Sequence, residues 1–468
     1  MTQTLFQKLW NLHLVTVLED GADLVSIDRV FLHERTGSIA LKSLEAEGRP
    51  LRNPNLVFCT MDHIVDTFPG RSDNTIMPSG KEFIQSTRAS AKRAGITLFD
   101  LGDSRQGIVH VVAPEQGITL PGATLVCPDS HTCTQGALGM LAWGVGSTEA
   151  EHAMVTGTLR VNRPKTMRVM FIGVTGPGVT AKDMILHLIG KYTAVGGNGY
   201  AIEFAGEAVQ ALSQEARFTL CNMAVEFSAF LGLVAVDDKT LDYVKGRPYA
   251  PKGALWDQAV CAWRILQSDE GAVFDKEIVI DCADIKPTIT WGTSPGHAVA
   301  IDGAVPRPAE VEDDNQRTAM ERALAYMDLK PGQRLTDLKI DAAFIGSCTN
   351  ARLSDLRQAA AFLKGRKVAK DVKAICVPGS TQVKLAAEAE GLDRVFTKAG
   401  FEWRESGCSM CFFAGGEHMG YRERVISTTN RNFESRQGPE SRTHLASPIV
   451  VAASAIVGRI ADPRDLME

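Results

Sequence analysis

Residues 342–350 read AAFIGSCTN. Ala342 to Ile345 is an apolar run of strand length, and it stops in a loop of small and polar residues, Gly346-Ser347-Cys348-Thr349-Asn350. Leu353 to Leu363 carries apolar residues at helical spacing, so the unit reads strand, loop, amphipathic helix. Lys373 to Val377 begins the pattern again, with a turn at Pro378-Gly379-Ser380 and a helix behind it. Upstream, Thr124 to Cys127 predicts a buried strand ending in Pro128-Asp129-Ser130-His131. A Gly-rich, helix-compatible stretch from Gly136 to Gly146 follows, and Met167 to Val174 predicts a further strand. This alternation defines an α/β architecture with much parallel sheet. Ligands of such sheets collect at the carboxyl ends of strands, so a site is expected at the loop carrying Cys348.

The chain has 468 residues, 44% hydrophobic and 22% charged, sufficient for roughly two to four domains of ordinary size. Glu310 to Asp314 and Pro164-Lys165 are linker candidates, and neither an internal repeat nor a low-complexity tract is visible. Lys and Arg number 50 against 55 Asp and Glu, a net charge of -5, which argues against nucleic acid or an anionic membrane as partner. The apolar stretch Ile449 to Val457 falls short of the roughly 20 residues that cross a bilayer. Met1 to Trp10 has no leader-like apolar region and no transit pattern, so a cytoplasmic location is expected.

Of the ten cysteines, Cys59, Cys127, Cys133, Cys221, Cys261, Cys282 and Cys376 are mostly flanked by apolar or small residues, as buried structural thiols are. Cys348, Cys408 and Cys411 lie instead in runs of small or polar residues. Cys408-Ser409-Met410-Cys411 places two thiols within reach of one centre, and Gly407 lets the backbone approach it. By itself the spacing fits a redox pair, half a zinc site or two ordinary thiols. With no second C-x-x-C and no H-x-x-x-H, a zinc site has to recruit His418 or His444. A redox pair opens a helix directly after a strand, whereas the polar run before Gly407 predicts a loop. Cys348 would complete three ligands for an iron–sulfur cluster that normally takes four. One iron would then lack a protein ligand, and an open position is what a metal needs to polarise a substrate oxygen.

Gly346 to Asn350, Gly407 to Cys411 and Asn430-Arg431-Asn432-Phe433-Glu434-Ser435-Arg436 together resemble the aconitase superfamily. The resemblance extends through Asp28-Arg29, Thr60 to His63, Gln106 to His110, Asp129 to Thr132, Gly196 to Gly199 and Arg442 to Leu445. It implies a three-domain α/β fold with mostly parallel sheets around the cluster, divided near 1–165, 166–285 and 286–468. It implies one [4Fe-4S] cluster per subunit on Cys348, Cys408 and Cys411, one iron lacking a cysteine ligand. The branch resembled is a hydro-lyase that interconverts 2-isopropylmalate and 3-isopropylmalate in leucine biosynthesis. The alternative is a relative acting on another alkyl-malate, such as citramalate or a dimethylmalate. Some aconitases also bind RNA, but no basic stripe supports that here.

By the same resemblance, Asp62, His63, His110, Asp129, His131 and Glu226 match the active-site acids and imidazoles, and Ser130, Asn430, Arg431 and Arg436 sit at the substrate. Guanidinium forks suit carboxylates, and carboxylate-paired imidazoles suit delivery of a proton to a leaving hydroxyl. His13, His33, His152, His187 and His297 are expected to be ordinary core or surface histidines. The family's base is a serine on a mobile fourth domain, and only about 30 residues follow the Asn430 motif, too few for a domain. A separate small subunit is therefore implied. Several positions depart from the family pattern: Thr36-Gly37-Ser38-Ile39-Ala40 for T-S-P-Q-A, Pro128 for Gly, Phe227-Ser228 within E-x-G-A, Phe412 to Gly420, and Ser435 for Gly. Neutral change in loops explains these as well as a reshaped alkyl pocket built from Ile39, Phe227 and the Phe412 to Gly420 loop.

Overall fold

In the computed structural model, residues 2–413 and 416–467 are described. Ala414 and Gly415, within the divergent loop, lie outside them. Three parallel sheets carry the architecture. The first runs in space Thr97–Phe99, Val57–Thr60, Arg29–His33, Thr124–Cys127, Leu141–Gly144. The third runs Phe401–Trp403, Lys373–Cys376, Ala342–Ile345, Arg424–Ser427, Arg442–Leu445. Numbered within each sheet, both orders are 3-2-1-4-5, so the same winding occurs twice where the sequence showed no repeat. Between them in sequence lies a four-stranded sheet of Leu231–Leu233, Tyr200–Ala205, Lys165–Ile172 and Lys276–Asp281. Two small antiparallel sheets, Leu14–Val17 with Asp23–Ser26 and Thr158–Val161, and Thr288–Thr290 with Ala298–Ala300, complete the set.

The strands form where the sequence offers short runs that are apolar on both faces, as covered parallel sheets require. Val57–Thr60 and Ala342–Ile345 are buried along their whole length. Helix Leu353–Leu363 turns Leu356, Ala359, Ala360 and Leu363 inward, the i, i+3, i+4, i+7 stripe of an amphipathic helix. The apolar C-terminal stretch is a buried helix, Pro448–Val457, begun by Pro at its first position and ended by Gly458 at φ +80°. Among the described residues no helix is long and apolar enough to cross a membrane.

Two sequence expectations change. Part of the Gly136 to Gly146 stretch is the strand Leu141–Gly144, because the flank of the first sheet supplies its partner, Thr124–Cys127. Cys261 is exposed, on helix Ala254–Trp263, and is not a core thiol.

The sheets meet along seams that leave no room for a side chain. A Cβ on Gly136 would stand 1.8 Å from the Gly232 carbonyl, which joins the first sheet to the second. A Cβ on Gly107 would stand 2.5 Å from Ser380 Cα, where an isolated bridge joins the first sheet to the third. That bridge is held by Ile108 N–H to the Gly379 carbonyl at 2.9 Å and Thr381 N–H to the Gln106 carbonyl at 2.8 Å.

Candidate active site

In both five-stranded sheets the winding reverses between the first and fourth strands, and a crevice opens there beyond the carboxyl ends. In the first sheet these ends deliver His33-Glu34 and Asp129-Ser130-His131, with Asp62-His63 from the neighbouring strand. In the third they deliver Ser347-Cys348 and Asn430-Arg431. The backbone bridge at Gly107 and Ser380 joins the two sheets beside this cleft. Glu226 enters from the second sheet, on the short turn Val225–Phe227.

Cys348, Cys408 and Cys411 are free and buried. The Cys408 N–H donates to the Asp62 carbonyl at 2.9 Å, and the Cys408 sulfur lies 3.8 Å from Asp62 Oδ2 and 3.9 Å from His63 Nδ1. Cys411 Sγ is 3.2 Å from Ser347 Oγ, which is 3.9 Å from Cys348 Sγ. Asn222 Nδ2 and Asn430 Nδ2 point at Cys348 Sγ from 3.2 and 3.4 Å. Arg436 Nη2 reaches within 4.0 Å of Cys411 Sγ. Ser347 and Ser409, each next to a cysteine, adopt left-handed φ values of 79° and 49°, and such strain persists only where surroundings enforce it. Ser409 is held by Glu417, whose Oε2 accepts its hydroxyl at 2.6 Å and the Arg404 guanidinium at 2.7 Å.

The donor set fits a metal cluster. Burial pushes the Cys408 thiol well above its usual range and Cys348 up to about 12, with Cys411 adding to the latter. Such thiols are inert as nucleophiles or redox partners and become thiolates through a metal. Among the described residues Asn430 Oδ1 and Arg436 Nε are buried and find no hydrogen-bond partner, so polar groups remain available to this centre. The zinc alternative loses its histidines. His444 Nδ1 is 2.7 Å from the Thr290 carbonyl and its Nε2 is 3.0 Å from Arg424, while His418 turns to the Met419 carbonyl at 2.7 Å.

Around the thiols runs a continuous chain of carboxylates and imidazoles. Asp62 Oδ1 is 2.6 Å from His63 Nδ1, and His63 Nε2 is 3.3 Å from Asp129 Oδ2. Asp129 Oδ1 meets His110 Nε2 at 2.9 Å and His131 Nδ1 at 3.5 Å. His131 Nε2 is 2.9 Å from Glu226 Oε1, which also accepts Arg431 Nε at 2.8 Å. Ser130 Oγ, exposed to the cleft, is 3.5 Å from His131 Nδ1. Burial opposes charge throughout, yet Asp62 and its neighbours hold His63 well above the usual imidazole range, and Glu226 raises His131. Burial alone would raise Asp129, but His110 and the other imidazoles hold it well below the usual carboxylate range. The carboxylates therefore bias His63 and His131 toward the imidazolium form.

Every site residue expected from the sequence lies in this one cleft. Three residues that the sequence did not mark for the site lie there too. His33, expected to be ordinary, stacks on His63 at 4.2 Å between ring centres, because its strand ends at the crevice. Glu34 accepts the Asp62 and Ile64 N–H groups at 3.0 and 2.5 Å, and burial followed by the Asp62 charge raises it to about 7. Asn222 has no local signal, because a helix of the second sheet carries it to Cys348. Of the departures expected at the pocket, one lies exposed on a helix and one is buried in the core. Ile39 is 55% exposed on helix Glu34–Ala46, and Phe227 is fully buried, where it takes up the space beside Gly196 and Gly197. Ser228 and Ser435 both take the left-handed backbone, at φ 64°, that a glycine adopts freely.

A buried cysteine triad set against a cleft of paired carboxylates and imidazoles on this α/β scaffold is the arrangement a hydro-lyase of the iron–sulfur type needs. The chain belongs to the aconitase family (aconitate hydratase), whose model matches residues 7–458. It is 52% identical over 464 residues, 99% of this chain and 97% of the relative, to the 3-isopropylmalate dehydratase large subunit 1 of Bradyrhizobium diazoefficiens. A distant likeness, with TM-score 0.45 and 14% identity over 92% of this chain and 89% of the other, links it to the holo-form of Thermococcus kodakaraensis aconitase X. The family implies a [4Fe-4S] cluster.

Proposed function

We propose that the chain is the large subunit of an enzyme that interconverts 2-isopropylmalate and 3-isopropylmalate, by dehydration and rehydration, in leucine biosynthesis. The observation that carries this reading is the 52% identity over 99% of the chain to a relative bearing that name. Cys348, Cys408 and Cys411 would hold the cluster, leaving one iron without a cysteine ligand. Bound there, it would supply a Lewis acid for the substrate hydroxyl. His63 and His131, kept protonated by Asp62 and Glu226, pass a proton to the departing hydroxyl and recover it on rehydration. Asp129 orients His63, His110 and His131 together. Asn430, Arg431, Arg436 and Ser130 bind the substrate's polar groups. The base that removes the proton alpha to a carboxylate comes from a separate small subunit, which acts as a mobile fourth domain.

The test is anaerobic assembly with a cognate small subunit, followed by comparison of turnover on 2-isopropylmalate, citramalate and citrate. A clear preference for 2-isopropylmalate is expected. A preference for citramalate, or for a dimethylmalate, would assign the chain to another alkyl-malate. The departures at Ile39, Phe227 and the Phe412 to Gly420 loop would then belong to a reshaped pocket.

A further inference from the structure

Arg35 is a cation that neither the thiol centre nor the proton relay uses. It stands in the first turn of helix Glu34–Ala46, directly after the two residues that buttress His63 and Asp62. A positive charge is disfavoured there, because the helix N-terminus is already positive. Its guanidinium carbon lies 4.3 Å from the centre of the Phe412 ring, and that of Arg436 lies 5.0 Å from the same centre. Burial, then the Arg436 charge, pull the Arg35 pKa down.

Two other arginines nearby pair with carboxylates, while the buried Arg352 is satisfied by the Cys348 and His110 carbonyls at 2.9 and 3.1 Å. Arg431 donates to Glu226 at 2.8 Å, and Arg404 donates to Glu417 at 2.7 Å. Among the described residues no carboxylate pairs with Arg35 or Arg436, and Arg436 Nε is buried with no partner at all. Two guanidiniums over one phenyl ring, with no carboxylate beside them among the described residues, suit an anion held between them. Two forks converging on one spot suit a carboxylate, and the aromatic face keeps both cations in place while it is absent. Because Arg436 also reaches toward Cys411, the anion must lie inside the cleft, where a side chain from another subunit would block the substrate.

We propose that Arg35 and Arg436, with Phe412 as their shared platform, hold one carboxylate of the substrate, which makes Arg35 a substrate-binding residue. This rests on the reading that the substrate is a hydroxy-diacid, and it gives the divergent Phe412 a role in anchoring charge rather than in shaping an alkyl pocket.

The experiment compares wild type, Arg35→Gln and Arg35→Lys in the assembled, cluster-loaded enzyme. Steady-state kinetics on 2-isopropylmalate are combined with calorimetric binding of plain malate, which has both carboxylates and no alkyl group. Arg35→Gln is expected to raise the malate Kd and the KM about tenfold or more, the size of one charge-assisted hydrogen bond, with kcat changed far less. Arg35→Lys should recover part of the loss. Unchanged malate binding in Arg35→Gln with full iron and sulfide content overturns the proposal. So does a loss of iron and sulfide in that variant, which would make Arg35 a brace for the Phe412 loop. Wild type that binds malate through Arg35 but does not turn over 2-isopropylmalate would sink the substrate reading and leave the carboxylate clamp standing. Wild type that binds no malate overturns both.

Discussion

Cys408 is tied to Asp62 twice, through its N–H at 2.9 Å and through its sulfur 3.8 Å from Oδ2. Serine preserves the volume and the backbone bond but is a poor ligand for iron. Cys408→Ser should therefore abolish both iron–sulfide content and turnover in the assembled enzyme, and retained turnover would remove Cys408 from the ligand set. His444 gives a pH dependence that is independent of the centre. Arg424 donates to its Nε2 and its Nδ1–H donates to the Thr290 carbonyl, so the folded protein holds it neutral. Burial, then Arg424, lower it to about 3. The unfolded chain takes up this proton near pH 6.5, the folded chain only near 3, so this stability is present above pH 6.5 and is lost as pH falls. His444 should contribute a loss of at most about 1.4 kcal/mol per pH unit within that window, read in unfolding titrations as the difference in slope between wild type and His444→Gln. At this scale the sequence was informative wherever chemistry needs a rare residue type at a fixed spacing, as at Cys408 and Cys411. His33 carried no such mark, since only the end point of its strand brings it to His63. Arg35 is equally mute in sequence, because its meaning lies in a partner it lacks.

Helix Leu353–Leu363 and strand Ala342–Ile345 were legible to the residue, because each has its own periodicity and its own terminating loop. Strand Leu141–Gly144 was not, since its four residues become a strand only when Thr124–Cys127 offers an edge. The duplicated winding was equally hidden, because sheet order is set by which strands meet and different apolar runs can satisfy it. What keeps the duplicated sheets together is local and testable at Gly107. A methyl group there collides with Ser380 Cα and the Gly379 carbonyl, both backbone atoms that cannot rotate away. Gly107→Ala should cost about 1–3 kcal/mol by overpacking in thermal unfolding, and should lower turnover of the assembled enzyme by opening the seam beside the cleft. Unaltered stability would mean that the seam has slack.

Across the whole molecule, responsibilities are divided by sheet. The third sheet supplies all three thiols together with Asn430, Arg431 and Arg436; the first supplies Asp62, His63, His110, Asp129 and His131; the second supplies Asn222 and Glu226. The two outer sheets keep separate apolar cores, one built on Ile345, Leu356 and Val450, the other continuous with the second sheet. The imidazole–carboxylate chain and the residues proposed to anchor substrate both lie in this chain, whereas the base for the alpha proton is proposed to come from the small subunit. The purified, cluster-loaded chain alone should thus bind malate yet show no turnover until that subunit is added, and turnover without it would refute the need for a partner. The division has a further consequence for handling the protein. With the cluster held as proposed, pigment would belong to the thiol-bearing sheet, while competence would require the other two to be docked against it. A preparation that has slipped at the seam can thus remain deeply brown and still be inert, so tint is no gauge of how many molecules can work.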